Sequence, residues 1–94
     1  MRIVWLSRAR ADISHARKYI EQYDPESARR VILTIYQVVR HISEAPNIGR
    51  PGRVASTREF VVSHTSYIVA YTVIKERIII LAVIHEAQEW PDTL

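Results

Sequence analysis

The sequence has no cysteine, which excludes disulfide staples and thiolate metal sites. Glycine occurs only twice, both within residues 49–52, so long flexible linkers and long disorder are not expected. No apolar run approaches the roughly 20 residues of a membrane-spanning helix; the longest, Ile78 to Ile84, is β-branched and strand-length. The opening Met1-Arg2-Ile3-Val4-Trp5 has one basic residue and too short an apolar stretch for a signal peptide, so the cytoplasm is the expected compartment. His15, His41, His64 and His85 lack ligand-like spacing, and neither a metal nor a cofactor is expected. GxxxxGK, CxxC and nucleophile-elbow motifs are all missing, which leaves nucleotide hydrolysis and acyl transfer without support.

What is present fits one domain over residues 1–94, with 48% hydrophobic residues to form its core. The net charge of +3 is unevenly spread. Residues 1–57 hold ten Lys and Arg against five Asp and Glu, whereas residues 58–94 hold three against five. A basic half of this kind steers nucleic acid or an acidic protein partner toward itself, and the sign alone does not choose between them.

Ile3 to Leu6 form a short apolar run before Ser7, which predicts a strand leading into a helix capped by Ser7. Ala9, Ile13, Ala16, Ile20 and Tyr23 then recur at helical spacing through residues 8–22. Asp24-Pro25-Glu26 is a second helix start, with cap, first-turn proline and an acid at the positive end of the dipole. Its apolar stripe runs from Ala28 through Val31, Ile35 and Ile42 to Ala45, where Pro46 ends it. The two helices, over 8–22 and 25–45, should form an antiparallel hairpin.

Residues 47–53 read as a shaped loop, after which the period changes to two. Phe60–Val62, Tyr67–Ile74 and Ile78–Ile84 predict an antiparallel meander with turns near His64-Thr65 and Lys75-Glu76. The last strand, apolar at nearly every position, should be central. The result is an α+β fold in the order β-α-α-β-β-β, an antiparallel sheet with the helical hairpin on one face. Ile13, Ile20, Val31, Ile35, Ile42, Val69 and Leu81 are the expected core.

If both turns are tight two-residue hairpins, Arg58 faces Tyr71, which faces Ile80, while Ser66 faces His85. Arg58 and His85 then lie at opposite ends of the sheet, unless a bulge shifts the register by one residue. His85 is a candidate general base, against a structural role packing beside Trp90 or donating to a backbone carbonyl. Tyr67 and Tyr71 share a sheet face, where aromatic bodies usually serve the core. Arg50, Arg53 and Arg58 surround the glycine loop as a fork for phosphate or carboxylate, or simply as soluble turn residues.

The ordered set Trp5, Ala9-Arg10-Ala11-Asp12-Ile13, Tyr19-Ile20, Pro46 to Gly52, Thr57-Arg58-Glu59-Phe60, Tyr67 to Tyr71 and Val83 to Pro91 resembles the ParE/RelE toxin superfamily over essentially the whole chain. The resemblance implies a toxin held by a cognate antitoxin, a small DNA-binding protein whose disordered acidic arm wraps it. RelE-like members cut mRNA on the ribosome, which needs a base, an acid and cations for the phosphorane; here that would make His85, Arg58 and Tyr71 the catalytic candidates. Aligned on Tyr67 and Tyr71, however, the nuclease branch's strand lysines fall on Glu59 and Val61, its arginine on Ile68 and its basic tail position on Gln88. Glu86, Glu89 and Asp92 moreover give a tail that repels an RNA backbone. The resemblance is therefore closer to ParE-like toxins, which poison DNA gyrase through protein contacts. Arg50, Arg53, Arg58, His85 and Trp90 are then candidates for contact with the target, and an altered mRNA nuclease or a non-toxic antitoxin-binding module are the alternatives.

Overall fold

The computed structural model describes all residues, 1–94. Strand β1 (Arg2–Trp5) leads into helices α1 (Ser7–Glu21) and α2 (Pro25–Glu44), followed by strands β2 (Arg50–Pro51), β3 (Arg58–Val61), β4 (Tyr67–Ile74) and β5 (Arg77–His85). The sheet order is β1-β5-β4-β3-β2, with the helices on one face, the α+β plan expected. No helix is long and apolar enough to cross a membrane.

Helix α2 begins as its sequence dictates. Asp24 accepts from the Glu26 amide at 3.1 Å and from the Ser27 hydroxyl at 2.8 Å, and Pro25 occupies the first turn. Helix α1 differs from expectation at its start. Leu6 is the capping position and makes no side-chain cap, so Ser7 is already helical. The cause is the strand before it: the Leu6 amide donates to the Ile80 carbonyl at 3.1 Å, and the one residue between sheet and helix is this apolar Leu6, which has no polar side chain to act as a cap.

Two pairings lie outside the meander. β1 joins β5 in parallel, Arg2 beside Arg77 through Trp5 beside Ile80, which makes the sheet mixed and puts β5 between two neighbours. The glycine loop contributes β2, which pairs with Arg58 and Glu59. In the rest of the sheet Arg58 opposes Tyr71 and Tyr71 opposes Ile80, as the turns require. A bulge then intervenes: Ala70 pairs with Ala82, leaving Leu81 unpaired, and His85 faces Tyr67 rather than Ser66.

That single extra residue reverses which face each side chain takes. Before it, Ile78 and Ile80 point to the helices; after it, Val83 does, packed with Tyr67, Val69, Ile13 and Ile35 in the main core. Ala82 and Ile84 turn instead to the far face, where with Ala70 they form a small cluster covered by Trp90 and Leu94 of the tail. Of the expected core, Ile13, Ile35, Ile42, Val69 and Leu81 are buried, whereas Ile20 and Val31 are partly buried at its margin.

Candidate target-contact surface

The loop between α2 and β3 is shaped by two residues of the sheet. Tyr71, fully buried, donates its hydroxyl hydrogen to the Pro46 carbonyl at 2.8 Å and accepts from the Gly49 amide at 2.9 Å. A Cβ at Gly49 would stand 2.6 Å from that hydroxyl oxygen, so only glycine permits this approach. Opposite Tyr71, Arg58 donates to the Gly49 carbonyl at 2.7 Å and to the Asn47 carbonyl at 3.4 Å. Both side chains thus close the loop onto the end of the sheet.

On the other face of β3, Glu59 is 3% exposed. It accepts from the Arg53 amide at 2.8 Å, from Arg53 Nε at 3.2 Å and from Arg50 Nη2 at 3.1 Å. Burial by itself would raise this carboxyl; the hydrogen bonds from Arg53 and Arg50 together outweigh it and hold the group below the ordinary glutamate value. The carboxylate that the arginines grip is therefore the chain's own. Arg53, fixed at one side by Glu59, lays its guanidinium 3.6 Å from the centroid of the Trp90 ring. Trp90 in turn covers Ala70, Ala82 and Ile84, and its indole N–H is buried without a partner.

His85 stands apart, four strand positions from this end, or about 13 Å at 3.3 Å per residue. Because of the bulge its ring turns toward α1 and meets Tyr67 edge-on, centroids 5.3 Å apart, rather than Trp90. Its Nδ1 accepts from the Ala87 amide at 3.1 Å, which leaves the proton of the neutral ring on Nε2. The two residues line a groove of about 380 Å³ with Asp12, His15, Tyr19 and Gln88. Asp12 reaches across from α1 to accept from the Val83 amide at 2.9 Å, doing for β5 what β1, ended at Trp5, no longer does. Desolvation raises its carboxyl above the ordinary value, against the Val83 hydrogen bond and Arg8 at 3.8 Å. Burial, and then Tyr19, raise the Tyr67 phenol likewise.

Residues 3–90 match the family model described as the ParE toxin of the type II toxin–antitoxin system parDE. The chain belongs to the ParE toxin family. A provisionally named toxin of Sinorhizobium fredii, Y4kP, is 41% identical over 93 residues, covering 99% of this chain and 96% of that protein. Toxin RelE2 of Caulobacter vibrioides is 34% identical over 86 residues, covering 92% and 96%. A solved chromosomal ParDE system from P. aeruginosa contains a chain of the same fold, TM-score 0.80 at 23% identity, covering 90% of this chain and 95% of that one. This is a ParE-type toxin of a type II toxin–antitoxin system.

In this ParE-family chain the sequence-derived candidates separate into three sets. Arg50, Arg53 and Trp90 come together through Glu59; Arg58 and Tyr71 meet at Gly49; His85 joins neither. Two residues with central roles, Glu59 and Asp12, were not among the candidates. Glu59 does carry a signal, a lone acid in a short strand two positions from Val61 and flanked by arginines at 53 and 58. Asp12 carries none beyond adjoining the apolar stripe of α1 at Ile13.

Proposed function

We propose that this toxin inhibits DNA gyrase through protein contacts made by the Arg50–Arg53–Trp90 end of the sheet, and that it does not cut mRNA. The observation that carries the proposal is the placement of the cations. No Lys or Arg lines the groove that holds His85, while Arg50 and Arg53 bind Glu59 and Arg58 binds loop carbonyls. A phosphorane forming at His85 would have no cation to neutralise it, and loss of one such donor typically costs about 10² to 10³ in rate. Ile68 of β4, at the position of the nuclease branch's arginine, is an apolar, buried residue. The tautomer argues the same way, because an imidazole with its proton on Nε2 and its Nδ1 engaged by Ala87 has no free lone pair to act as a base.

Membership in a toxin–antitoxin family supports a cognate antitoxin as partner, and the basic residues 1–57 support an acidic arm on it. Action on gyrase places the protein in the cytoplasm. Induced expression in bacteria tests the proposal: filamentous arrest with a DNA-damage response is expected, whereas rapid loss of translation would indicate the nuclease and normal growth an inert antitoxin-binding module. His85→Gln should remain as toxic as the parent; abolished toxicity in a folded His85→Gln protein would make His85 catalytic.

A further inference from the structure

The groove beside His85 has no part in the contact assigned to the Arg50–Arg53–Trp90 end, yet unused polar groups converge on it. Ala16 and Val83 beneath it are buried and contribute almost no surface. Its accessible walls are the side chains of Asp12 and Tyr19 from α1, Tyr67 from β4, and His85 and Gln88 from the end of β5 and the tail. Tyr19 is 57% exposed, so one of its ring faces is open.

Three of these groups keep hydrogen-bonding capacity that the fold does not use. Asp12 meets the Val83 amide at 2.9 Å and Arg8 at 3.8 Å with the same oxygen, Oδ2, which leaves Oδ1 without a hydrogen bond. Tyr67 is 9% exposed, and its only polar contact outside the sheet is its amide, given to Thr65 Oγ1; the hydroxyl has no partner in the chain. That hydroxyl is not sealed, because the Trp90 indole nitrogen alone is both buried and unpartnered, and it opens on the groove that Tyr67 lines. His85, with Nδ1 accepting from Ala87, has a free N–H at Nε2.

The charge of the groove selects what fits there. No Lys or Arg lines it, none follows Arg77 in the chain, and Glu86 and Glu89 flank Ala87 and Gln88. Arg8, the cation nearest Asp12, is beyond hydrogen-bond distance, and its side chain is 42% exposed, so solvent screens it. Asp12 is a partly desolvated carboxylate short of compensation, which its raised pKa also reflects. One under-compensated carboxylate between tyrosine rings disfavours an anion and suits a cation that lies on aromatic faces. Among such cations a guanidinium is flat, offers several N–H donors to acceptors at separate points and gives up its hydration more readily than an ammonium. A volume of about 380 Å³ is small for a ligand site, enough for one such side chain or a molecule of that size.

We propose that this groove is a receptor for a guanidinium group, with N–H donors on Asp12 Oδ1 and the Tyr67 hydroxyl oxygen and its plane against the Tyr19 ring. His85 Nε2–H then serves a carbonyl oxygen of the molecule that carries the group. The guanidinium has two sources, an arginine side chain of a partner polypeptide or a small free guanidine. The proposal stands independently of what the toxin inhibits.

The test follows amide shifts of the whole ¹⁵N-labelled chain by NMR during titration with acetyl-Gly-Arg-Gly-amide and with agmatine. Each is paired with its uncharged isostere, the citrulline tripeptide and N-carbamoylputrescine. Saturable shifts at residues 12–19, 67 and 83–88 are expected, with the isosteres at least about tenfold weaker, as loss of a charge-assisted hydrogen bond dictates. Asp12→Asn keeps an oxygen for the Val83 amide and should preserve the melting of the chain while abolishing the preference for arginine over citrulline. Tyr19→Leu, at an exposed position, should weaken the guanidinium probes by about two- to fivefold and leave the isosteres unchanged. Tighter binding of the tripeptide than of agmatine assigns the site to an arginine of a polypeptide; the reverse assigns it to a free guanidine. Equal binding of charged and uncharged probes, shifts confined to other residues, or an arginine preference that survives both Asp12→Asn and Tyr19→Leu overturns the proposal.

Discussion

The two faces of the sheet are covered in opposite ways. The helix side packs Ile35, Ile42, Ile78, Ile80 and the Tyr71 ring into one continuous core. The far side buries a small cluster, Ala70, Ala82 and Ile84, beneath Trp90 and Leu94 of a mostly polar tail, together with Ile68 and the charged Glu59. Apolar area, which is non-directional, stabilises the first; directed contacts that begin at the Glu59 carboxylate and end on the Trp90 ring hold the second. A face held by few, specific contacts can open locally without global unfolding, and of the candidate target-contact residues Arg50, Arg53 and Trp90 belong to that assembly, whereas Arg58 and His85 do not.

The comparison breaks most visibly at Ile35. Truncation to alanine in a fully buried site should cost about 2 to 5 kcal/mol in urea unfolding, partly through the cavity it leaves. A loss below about 0.5 kcal/mol, the scale of surface changes, would move the core away from the hairpin. The next effect belongs to Glu59. Glu59→Gln should cost about 1 to 3 kcal/mol at neutral pH by weakening the hydrogen bonds that Arg50 and Arg53 make. Because the folded carboxyl sits below its ordinary value, its contribution is present above the unfolded value of about 4.3 and is lost as pH falls through the folded one. The gap between wild type and Glu59→Gln should therefore narrow on acidification below about pH 4.3, and a gap constant down to pH 3 would contradict the assignment.

Trp90 gives the smallest effect and separates ring from N–H. Trp90→Phe keeps a face for Arg53 and removes the buried, unpaired indole N–H. Stability should be unchanged or rise by up to about 1 kcal/mol, because an orphan buried donor is a cost. A clear loss would mean that the N–H has a partner after all.

Legibility in the sequence followed the range of the forces involved. Helical stripes, the Asp24-Pro25 start and the Tyr71–Ile80 register depend on neighbours a few residues apart, and all three are where periodicity and turn chemistry put them. The parallel contact of β1 with β5 brings together residues 75 positions apart, and no local pattern encodes it. The bulge at Leu81 is likewise invisible, since an unbroken apolar run from Ile78 to Ile84 reads the same in either register. It nevertheless decides that His85 faces Tyr67 and α1. The arginines around the loop were legible as a fork; that its carboxylate is Glu59 depends on β2 pairing with β3, which two residues do not announce.

The most direct test of the account pairs two assays of the purified chain at the same concentrations, one for supercoiling and enzyme-linked DNA breaks by gyrase, the other for cleavage of mRNA on programmed ribosomes. With the cations committed to Glu59 and the loop, and none beside His85, inhibition of supercoiling with accumulated breaks and intact mRNA is expected. Ribosome-dependent cuts at catalytic concentration, with gyrase unaffected, would contradict it.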